Sequence, residues 1–356
     1  MSAGKHVEHF RGLTEIRGIA ASVVLFSHVD QFHYVLGTKH IGLSDTGMAD
    51  HAVTVFFVLS GFLITHLLLT EQRATGTIGV RKFYMRRILR IWPVYYSSLL
   101  AALTLILLAR VDAPPQPLLS TSLFVFMLPN LAYALDLSIR PATPLWSVGV
   151  EEQYYLVWPW VMRSGSRPLR LLLAIVLIYL LVRSVCYYVR PGGGMFSLLL
   201  LTRIDCMAWG GILAYLHFTG RQRVMQVLFH PATQVLALIV LVLPLFVHLR
   251  LFLYLETELI AAAAGVFILN TAVNPRALVR PGTRPLLYLG RLSYGIYAYH
   301  LLVVFLLGQW LAGLHLAVVN ATIFLSTVLL AHLSYEFIER KALAIKERFS
   351  VVRSSA

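Results

Sequence analysis

The apolar stretch from Leu13 to Tyr34 carries Arg17 and His28 inside its apolar run, and a membrane segment would ordinarily lack such ionisable side chains. An arginine at the middle of a membrane helix costs about 2.5–3.5 kcal/mol on insertion scales. The two residues are separated by just over three helical turns, at about 100° per residue, so they share one helix face, about 16 Å apart along the axis. We therefore expect this face to border a polar cavity.

His28 is the residue of this stretch that could do acid–base chemistry. Near neutral pH an imidazole is a natural proton acceptor, so it could activate a hydroxyl nucleophile. Asp30 lies close by in the sequence, but residues i and i+2 point apart on a helix, which makes it a weak orienting partner. The alternative is a structural histidine that forms a hydrogen bond with a neighbouring helix. Because His28 shares a face with Arg17, we favour the catalytic interpretation.

A second feature is the pair of arginines Arg87 and Arg90 in the segment 84–93, YMRRILRIWP. The two are three residues apart and share a helix face where an apolar run begins. Guanidinium groups can hold a phosphate through two parallel hydrogen bonds, so a pair suits phosphate or pyrophosphate. The alternative is that these arginines only anchor the membrane topology. The sharper hypothesis is a phosphate-bearing ligand on the cytoplasmic side.

The segment 145–155, LWSVGVEEQYY, combines two adjacent carboxylates, Glu151 and Glu152, with the aromatic residues Trp146 and Tyr155. Carboxylates accept hydrogen bonds from hydroxyl groups and aromatic rings supply apolar faces, a combination that suits sugars. A charged cap at a helix N-terminus and an aromatic belt at the membrane interface are the structural alternatives. We expect this segment to meet the hydroxyl groups of an acceptor.

Three further polar residues lie at or within apolar runs, namely Arg203, Tyr294 and His300. Arg203 opens a run together with Asp205, and the two could form a structural pair near the outer face. Tyr294 and His300 belong to the segment 293–300, SYGIYAYH, for which a buried hydrogen-bond cluster is the alternative to substrate contact. We count all three as candidate substrate-binding residues.

The composition excludes an ordinary soluble protein. Hydrophobic residues make up 58% of the chain and charged residues 13%, with a mean hydropathy of +0.74. The net charge of +14 would suit nucleic acid, but the basic residues lie in short connections between apolar runs, as membrane topology requires. The two cysteines cannot form a disulfide framework or a cysteine-based metal site, and no metalloprotease, Walker-type or GxSxG motif occurs. We expect no metal.

The apolar runs predict an all-α integral membrane protein with about ten transmembrane helices around a central polar cavity. Eleven runs are apparent, at 13–36, 50–70, 92–110, 118–135, 146–163, 169–188, 201–217, 232–249, 252–271, 286–309 and 314–338. The strongly basic connection 71–91 must be cytoplasmic. If 118–135 spanned the membrane, every later basic connection would fall outside, and its prolines also indicate a broken, non-spanning segment. The remaining ten spans put both termini in the cytoplasm.

The division that follows is one membrane domain at 1–345 and a short cytoplasmic tail at 346–356. The first apolar run has no small-residue cleavage site, so we expect it to stay as a span. Gly61 in the segment 56–62, FFVLSGF, is expected to permit close helix packing.

Taken in order, these segments resemble the acyltransferase 3 family of membrane acyltransferases. Any one motif would be weak evidence, but five in the expected order are specific. They are 17–28, RGIAASVVLFSH; 56–64, FFVLSGFLI; 87–93, RILRIWP; 145–155, LWSVGVEEQYY; and 292–300, LSYGIYAYH. In the fourth of these motifs, 145–155, the family usually has Leu and Phe where this chain has Val148 and Tyr154, and both changes are conservative.

The resemblance implies a ten-helix membrane domain that moves an acyl group, commonly acetyl, from cytoplasmic acyl-CoA to a hydroxyl of a glycan or glycolipid. On the family pattern, His28 matches the catalytic histidine, with Arg17 as its partner. Arg87 and Arg90 match the motif thought to meet the CoA phosphates, and Glu151 matches the acid of the fourth motif, 145–155. The chain resembles the stand-alone type, without an SGNH hydrolase-like domain, and a bacterial inner or plasma membrane is its expected location.

The resulting hypothesis is that His28 removes the proton of the acceptor hydroxyl as it attacks the thioester, while Arg17 or a tyrosine stabilises the oxyanion. Direct transfer and an acyl-enzyme intermediate both remain open. The alternative from another class is a transporter or flippase for a lipid-linked sugar, in which Arg17, His28 and Glu151 line a passage. A membrane scaffold is a weaker third interpretation, because it leaves the charges within the membrane unexplained.

Overall fold

The computed structural model describes residues 10, 12–165, 167–189, 194–245 and 253–349. Within these ranges the regular structure is helical. In chain order, helices α1 to α16 cover Leu13–Gln31, His33–Leu36, Met48–Thr75, Val80–Leu107, Pro117–Val125, Pro129–Ala134, Leu145–Arg163, Pro168–Val189, Gly194–Leu201, Ile204–Phe218, Gln222–Phe229, Pro231–Val242, Leu253–Val273, Arg284–Leu311, Leu316–Ser334 and Arg340–Lys346.

Seven helical stretches of the described chain are long and apolar enough to cross a membrane. They are Met48–Thr75, Val80–Leu107, Pro168–Val189, Ser197–Phe218, Leu255–Val273, Arg284–Leu311 and Leu316–Phe349. An eighth is reached if α11 and α12, which meet at an angle of 58°, form one bent span. The protein is therefore an integral membrane protein with seven or eight helices of this kind, fewer than the ten spans expected from the sequence.

Helices α1 and α7 account for the difference in number. Each has 19 residues, close to the length of a span, but neither is apolar enough to belong to the set. Helix α1 contains Glu15, Arg17 and Asp30, and α7 contains Glu151 and Glu152. Ionisable residues of membrane helices face the interior of the bundle or a cavity, so low apolarity is what a cavity-lining helix should show.

The segment predicted not to span is broken into two short helices. α5 has nine residues and α6 has six, far below the ~20 needed to cross the hydrocarbon core. Between them Met127 adopts a left-handed conformation, with φ of 60°. Gln153 of α7 fixes this break by donating hydrogen bonds to the Met127 carbonyl (3.3 Å) and to Asn130 Oδ1 (2.8 Å). This arrangement agrees with the expectation of a broken, non-spanning segment.

Two glycines allow α3 and α10 to approach closely. A Cβ added to Gly61 of α3 would collide with the Met207 carbonyl of α10, and one added to Gly210 would collide with the Val58 carbonyl of α3. Gly61 therefore permits the close helix packing that the sequence predicted, because a larger residue would not fit against α10. This contact fixes α3, which contributes one wall of the cavity described below.

Arg203 and Asp205, considered above as a pair, form ion pairs with other residues. Arg203 donates to Asp50 Oδ1 at 3.1 Å, whereas Asp205 accepts two hydrogen bonds from the buried Arg183, at 2.6 and 3.0 Å. Arg203 is the N-cap of α10 and Asp205 lies two residues further on, in the first turn, so the two side chains point apart. Arg183 also lies 3.7 Å from Glu258, so this charge cluster connects α8, α10 and α13.

The C-terminal segment returns to the bundle. After α15 a π-helical turn, Tyr335–Glu339, leads into α16, which packs against α4. Arg86 donates a hydrogen bond to the carbonyl of Phe349 at 3.0 Å. The tail expected at 346–356 therefore begins on a packed helix; its residues 350–356 lie outside the described part of the chain, as does the N-terminal part of the 1–345 domain up to residue 9.

Candidate functional site

A cavity of about 390 Å³ lies between α1, α3, α4, α7 and α14, and α16 contributes to its lining. This is within the usual size range of small-molecule sites, about 300–1,000 Å³. Most of its wall is apolar, from side chains such as Phe57 and Ile64 of α3. The polar part of the wall contains several of the residues selected from the sequence.

Four cations and one carboxylate line this cavity. The cations are Arg17 from α1, Arg87 and Arg90 from α4, and Lys346 from α16, and the carboxylate is that of Glu151. None of the four cations forms an ion pair within 4 Å with any residue that the structure describes. Charges that leave bulk water are normally paired, so this excess of positive charge is suited to an anionic ligand.

Helix α4 contains both arginines that line the cavity, Arg87 and Arg90, and a neighbouring arginine with a structural role, Arg86. Because α4 begins at Val80, Arg87 and Arg90 lie inside the helix and not at its start, and their spacing of three residues directs both to the cavity. The Arg87 guanidinium lies 5.8 Å from the ring centroids of Phe83 and Tyr155, and its Nε has no hydrogen-bond partner. The adjacent Arg86, in contrast, is bound to Glu71 at 2.8 Å.

Glu151 is held in place by two hydroxyl groups. Ser60 of α3 donates to Oε1 at 2.7 Å, and Tyr155, one turn further along α7, donates to Oε2 at 3.2 Å. Ser60 and Tyr155 line the same cavity, so the carboxylate has a fixed orientation beside Arg17. Tyr294, another predicted site residue, also lines the cavity and donates to the Ile91 carbonyl of α4 at 2.8 Å.

His28 and His300 form a pair beside the cavity, outside its lining. His28 Nδ1 lies 2.7 Å from His300 Nε2, and His300 Nδ1 lies 2.8 Å from the Tyr297 carbonyl. Tyr297 lines the cavity and its ring centre is 6.0 Å from that of His300, so the pair lies behind this tyrosine. His28 is half-buried and His300 is fully buried. Because the His300 side chain is not exposed, its burial does not support the predicted contact with a substrate.

Asp30, the possible partner of His28, has another role. Its carboxylate accepts hydrogen bonds from the backbone N–H groups of Ile41 and Ser44, at 2.7 and 2.8 Å. It thereby fixes the loop after α2, and within the described part of the chain no hydrogen bond or ion pair joins it to His28.

Three predicted substrate-binding residues, Glu152, Trp146 and Arg203, also lie off the cavity. Glu152 accepts a hydrogen bond from Trp92 Nε1 at 3.1 Å, and its Oε1 is buried without a partner. Trp146 is buried, with the Arg203 guanidinium 5.8 Å from its ring centroid and Tyr133 stacked on it at 6.3 Å. These residues belong to the surroundings of the site, and their contact with a substrate stays a prediction.

Lys346 was missed in the sequence because it had been assigned to a tail. Its position in the cavity depends on the π-helical turn and on the packing of α16 against α4, for which the sequence gives no local signal. Ser60 was also missed, although it lies beside the expected packing glycine. Within the described residues, no cluster of histidine, cysteine, aspartate or glutamate side chains could hold a metal ion.

The chain is similar to known O-acetyltransferases. It is 29% identical over 372 residues to YrhL of Bacillus subtilis (strain 168), provisionally named a peptidoglycan O-acetyltransferase; the match covers 94% of this chain and 55% of YrhL. It is 26% identical over 315 residues to the O-acetyltransferase OatA of Staphylococcus aureus, which covers 81% of this chain and 51% of OatA. The chain thus spans about half the length of these relatives. No solved structure matches it.

A family model described as an acyltransferase domain, Acyl_transf_3, matches residues 11–335. The match includes four of the five charged cavity residues, Arg17, Arg87, Arg90 and Glu151, together with His28 and His300. Lys346 lies beyond it. Because the match covers most of the sequence, the chain belongs to the acyltransferase 3 family.

Proposed function

We propose that this chain is a membrane O-acyltransferase that moves an acyl group, acetyl in the first instance, from cytoplasmic acyl-CoA to a hydroxyl of a glycan or glycolipid. The observation that carries this proposal is the cavity lined by one carboxylate and by four cations that form no ion pair with any described residue. Coenzyme A carries a pyrophosphate and a 3′-phosphate, which are the anions that guanidinium and ammonium groups bind best.

The proposed membrane arrangement has ten spans. They are the seven apolar stretches, the bent pair α11–α12 and the two charge-bearing helices α1 and α7. With this number both termini lie in the cytoplasm, and so do Arg87, Arg90 and Lys346, near the positive connections. CoA would then enter from the cytoplasm of a bacterial cell whose inner or plasma membrane contains the protein.

In the proposed reaction, Arg87, Arg90 and Lys346 hold the phosphates, and the thioester extends along α1 past Arg17 towards His28. The distance between Arg17 and His28, about 16 Å along the helix, suits the long pantetheine arm. Tyr297 separates the cavity from the histidine pair, so its side chain must turn aside for the thioester to arrive.

Chemistry at His28 follows from its position near the outer end of α1. The acceptor hydroxyl attacks the thioester carbonyl, His28 takes the hydroxyl proton, and a tyrosine stabilises the oxyanion. Arg17 lines the cavity about 16 Å along α1 from His28, too far for that role, and holds the donor instead. The carbon–sulfur bond then breaks and the proton passes to the thiolate, which leaves as free CoA. Glu151 and the aromatic residues of α7 orient the acceptor. The names of the relatives favour a peptidoglycan-type sugar as that acceptor.

The test follows thiol release by the purified full chain supplied with acetyl-CoA and a glycan-lipid extract of its host. We expect release that requires the extract and is lost in His28→Ala but kept in His332→Ala, a histidine of α15 outside the cavity. Full activity of His28→Ala would exclude the histidine as the base. A transporter would release no thiol at all, and failure to bind acetyl-CoA in a thermal-shift assay would favour that alternative.

A further inference from the structure

The contact between His28 and His300 is a directed hydrogen bond and not a face-to-face stack. The two rings are parallel within 4°, with centroids 5.0 Å apart, and the facing nitrogens are 2.7 Å apart. The centroid distance exceeds the nitrogen–nitrogen distance by only two ring radii, one for each imidazole. Both nitrogens therefore lie nearly on the line that joins the ring centres. The proton between them is therefore aimed directly at a lone pair.

The backbone decides which nitrogen of His300 carries its proton. A carbonyl oxygen can only accept, so the 2.8 Å contact with the Tyr297 carbonyl requires a proton on His300 Nδ1. His300 is fully buried at a helix interface and no described carboxylate contacts its ring, so the neutral form is favoured there. A neutral imidazole has one N–H, which leaves Nε2 of His300 as an acceptor. The proton of the pair then belongs to His28 Nδ1, and His28 Nε2 has the free lone pair.

The packing of α1 on α14 fixes this geometry on both sides of the pair. Towards the start of α1, a Cβ on Gly290 would collide with the Thr14 carbonyl, and one on Gly18 would come within 2.8 Å of the Gly290 nitrogen. Beyond the other end of α1, a Cβ on Gly308 of α14 would lie 2.8 Å from Val35 Cγ1 of α2, the short helix that follows α1. These close contacts leave the two helices no room to slide, so the imidazoles stay in line.

We infer that His300 is a positioning residue that holds His28 in the Nδ1–H tautomer and so presents Nε2 as the base. This inference rests on the proposed function, since it assigns the base to His28. During transfer the acceptor oxygen–carbon bond forms, the carbon–sulfur bond breaks, and the hydroxyl proton passes through His28 Nε2 to the thiolate. His300 keeps its own proton throughout and accepts from His28 Nδ1 while that ring is charged. An imidazole thus serves where an acid–base histidine often has a carboxylate partner.

The test reads the tautomer directly by ¹⁵N NMR of the full chain in detergent, with labelled histidine and with His28→Ala to assign the His28 signals. We expect the wild-type His28 ring to show a protonated Nδ1 and a bare Nε2. In His300→Leu this preference should be lost and kcat should fall on the order of 10²-fold, while KM for acetyl-CoA changes less than twofold. In His300→Gln, whose amide oxygen can accept from Nδ1, at least tenfold of the lost kcat should return.

Two outcomes would overturn the inference, and neither is the outcome that refutes the proposed function. One is a wild-type His28 protonated on Nε2, and this measurement stands even if His300→Leu fails to fold. The other is a folded His300→Leu variant with the wild-type tautomer and kcat. Full transferase activity of His28→Ala would instead show that His28 is not the general base, whatever tautomer its ring adopts in the wild type.

Discussion

Lys346→Met offers a test in which ligand binding and stability should move in different directions. Methionine is uncharged, is only one atom shorter than lysine and keeps an apolar, unbranched stem, so the packing of α16 on α4 is preserved. It removes one of the four cations that line the cavity without an ion-pair partner in the described chain. We expect weaker binding of acetyl-CoA and no loss of stability.

The expected size of the binding effect follows from the position of Lys346. A hydrogen bond to a charged group contributes about 1.5–3 kcal/mol, and the half-buried position of this side chain places it near the lower limit. At 1.4 kcal/mol for each tenfold change, Lys346→Met should raise the Kd for acetyl-CoA about tenfold. Added salt should reduce the difference in Kd between Lys346→Met and the wild type, because salt screens the charge of a side chain that is partly exposed.

The stability of the ligand-free protein should respond in the other direction. Lys346 shares the cavity with Arg17, Arg87 and Arg90, so its removal relieves repulsion between like charges. The Tm of the ligand-free variant should be equal to that of the wild type or higher. A variant that merely damages the fold would have a lower Tm together with weaker binding.

The assay is isothermal calorimetry with acetyl-CoA, and thermal melting of the same samples without ligand. Lys341→Met is the matched control, because Lys341 is exposed on the same helix and does not line the cavity. An unchanged Kd in Lys346→Met, with Lys341→Met also unchanged, would refute the reasoning that Lys346 meets the phosphates. Equal losses of affinity in both variants would show that acetyl-CoA binding responds only to the net charge of the protein and not to the position of the lysine.

Two further predictions concern stability. Gly290→Ala should lower the free energy of unfolding by about 3 kcal/mol, the upper part of the usual range for overpacking, because its added carbon meets the Thr14 carbonyl of a facing helix. Thermal melting should show a clear drop in Tm. The control Gly282→Ala, whose added carbon meets nothing within 3.7 Å, should show no drop. A hydrogen bond with Asp45, together with the nearby Asp30 carboxylate, raises the pKa of the exposed His40 above its ordinary 6.5. Its stabilising contribution is therefore full below pH 6.5 and is lost as the pH rises through the raised value, so His40→Ala should lower Tm at pH 5.5 and leave it unchanged at pH 9.

Much of the site was predictable because helical periodicity is a local property. The spacing of Arg87 and Arg90 placed both on one face of α4, and both line the cavity. The apolar runs predicted the long helices, and the prolines of 118–135 predicted the break between α5 and α6. Arg17 was expected to face a cavity because an unpaired charge in a membrane is costly, and it does line one.

The sequence by itself determined the helical membrane class, the family and the faces on which the charged residues lie, because composition, motif order and a period of 3.6 residues are all written along one chain. Only the tertiary structure decided which of these faces meet. It brought Lys346 from the C-terminal segment into the cavity, separated Arg203 from Asp205, and placed His300 in line with His28. Each of these depends on helices distant in sequence that pack at glycine contacts or turn at a π-helical segment, and such long-range contacts have no local signal in the sequence.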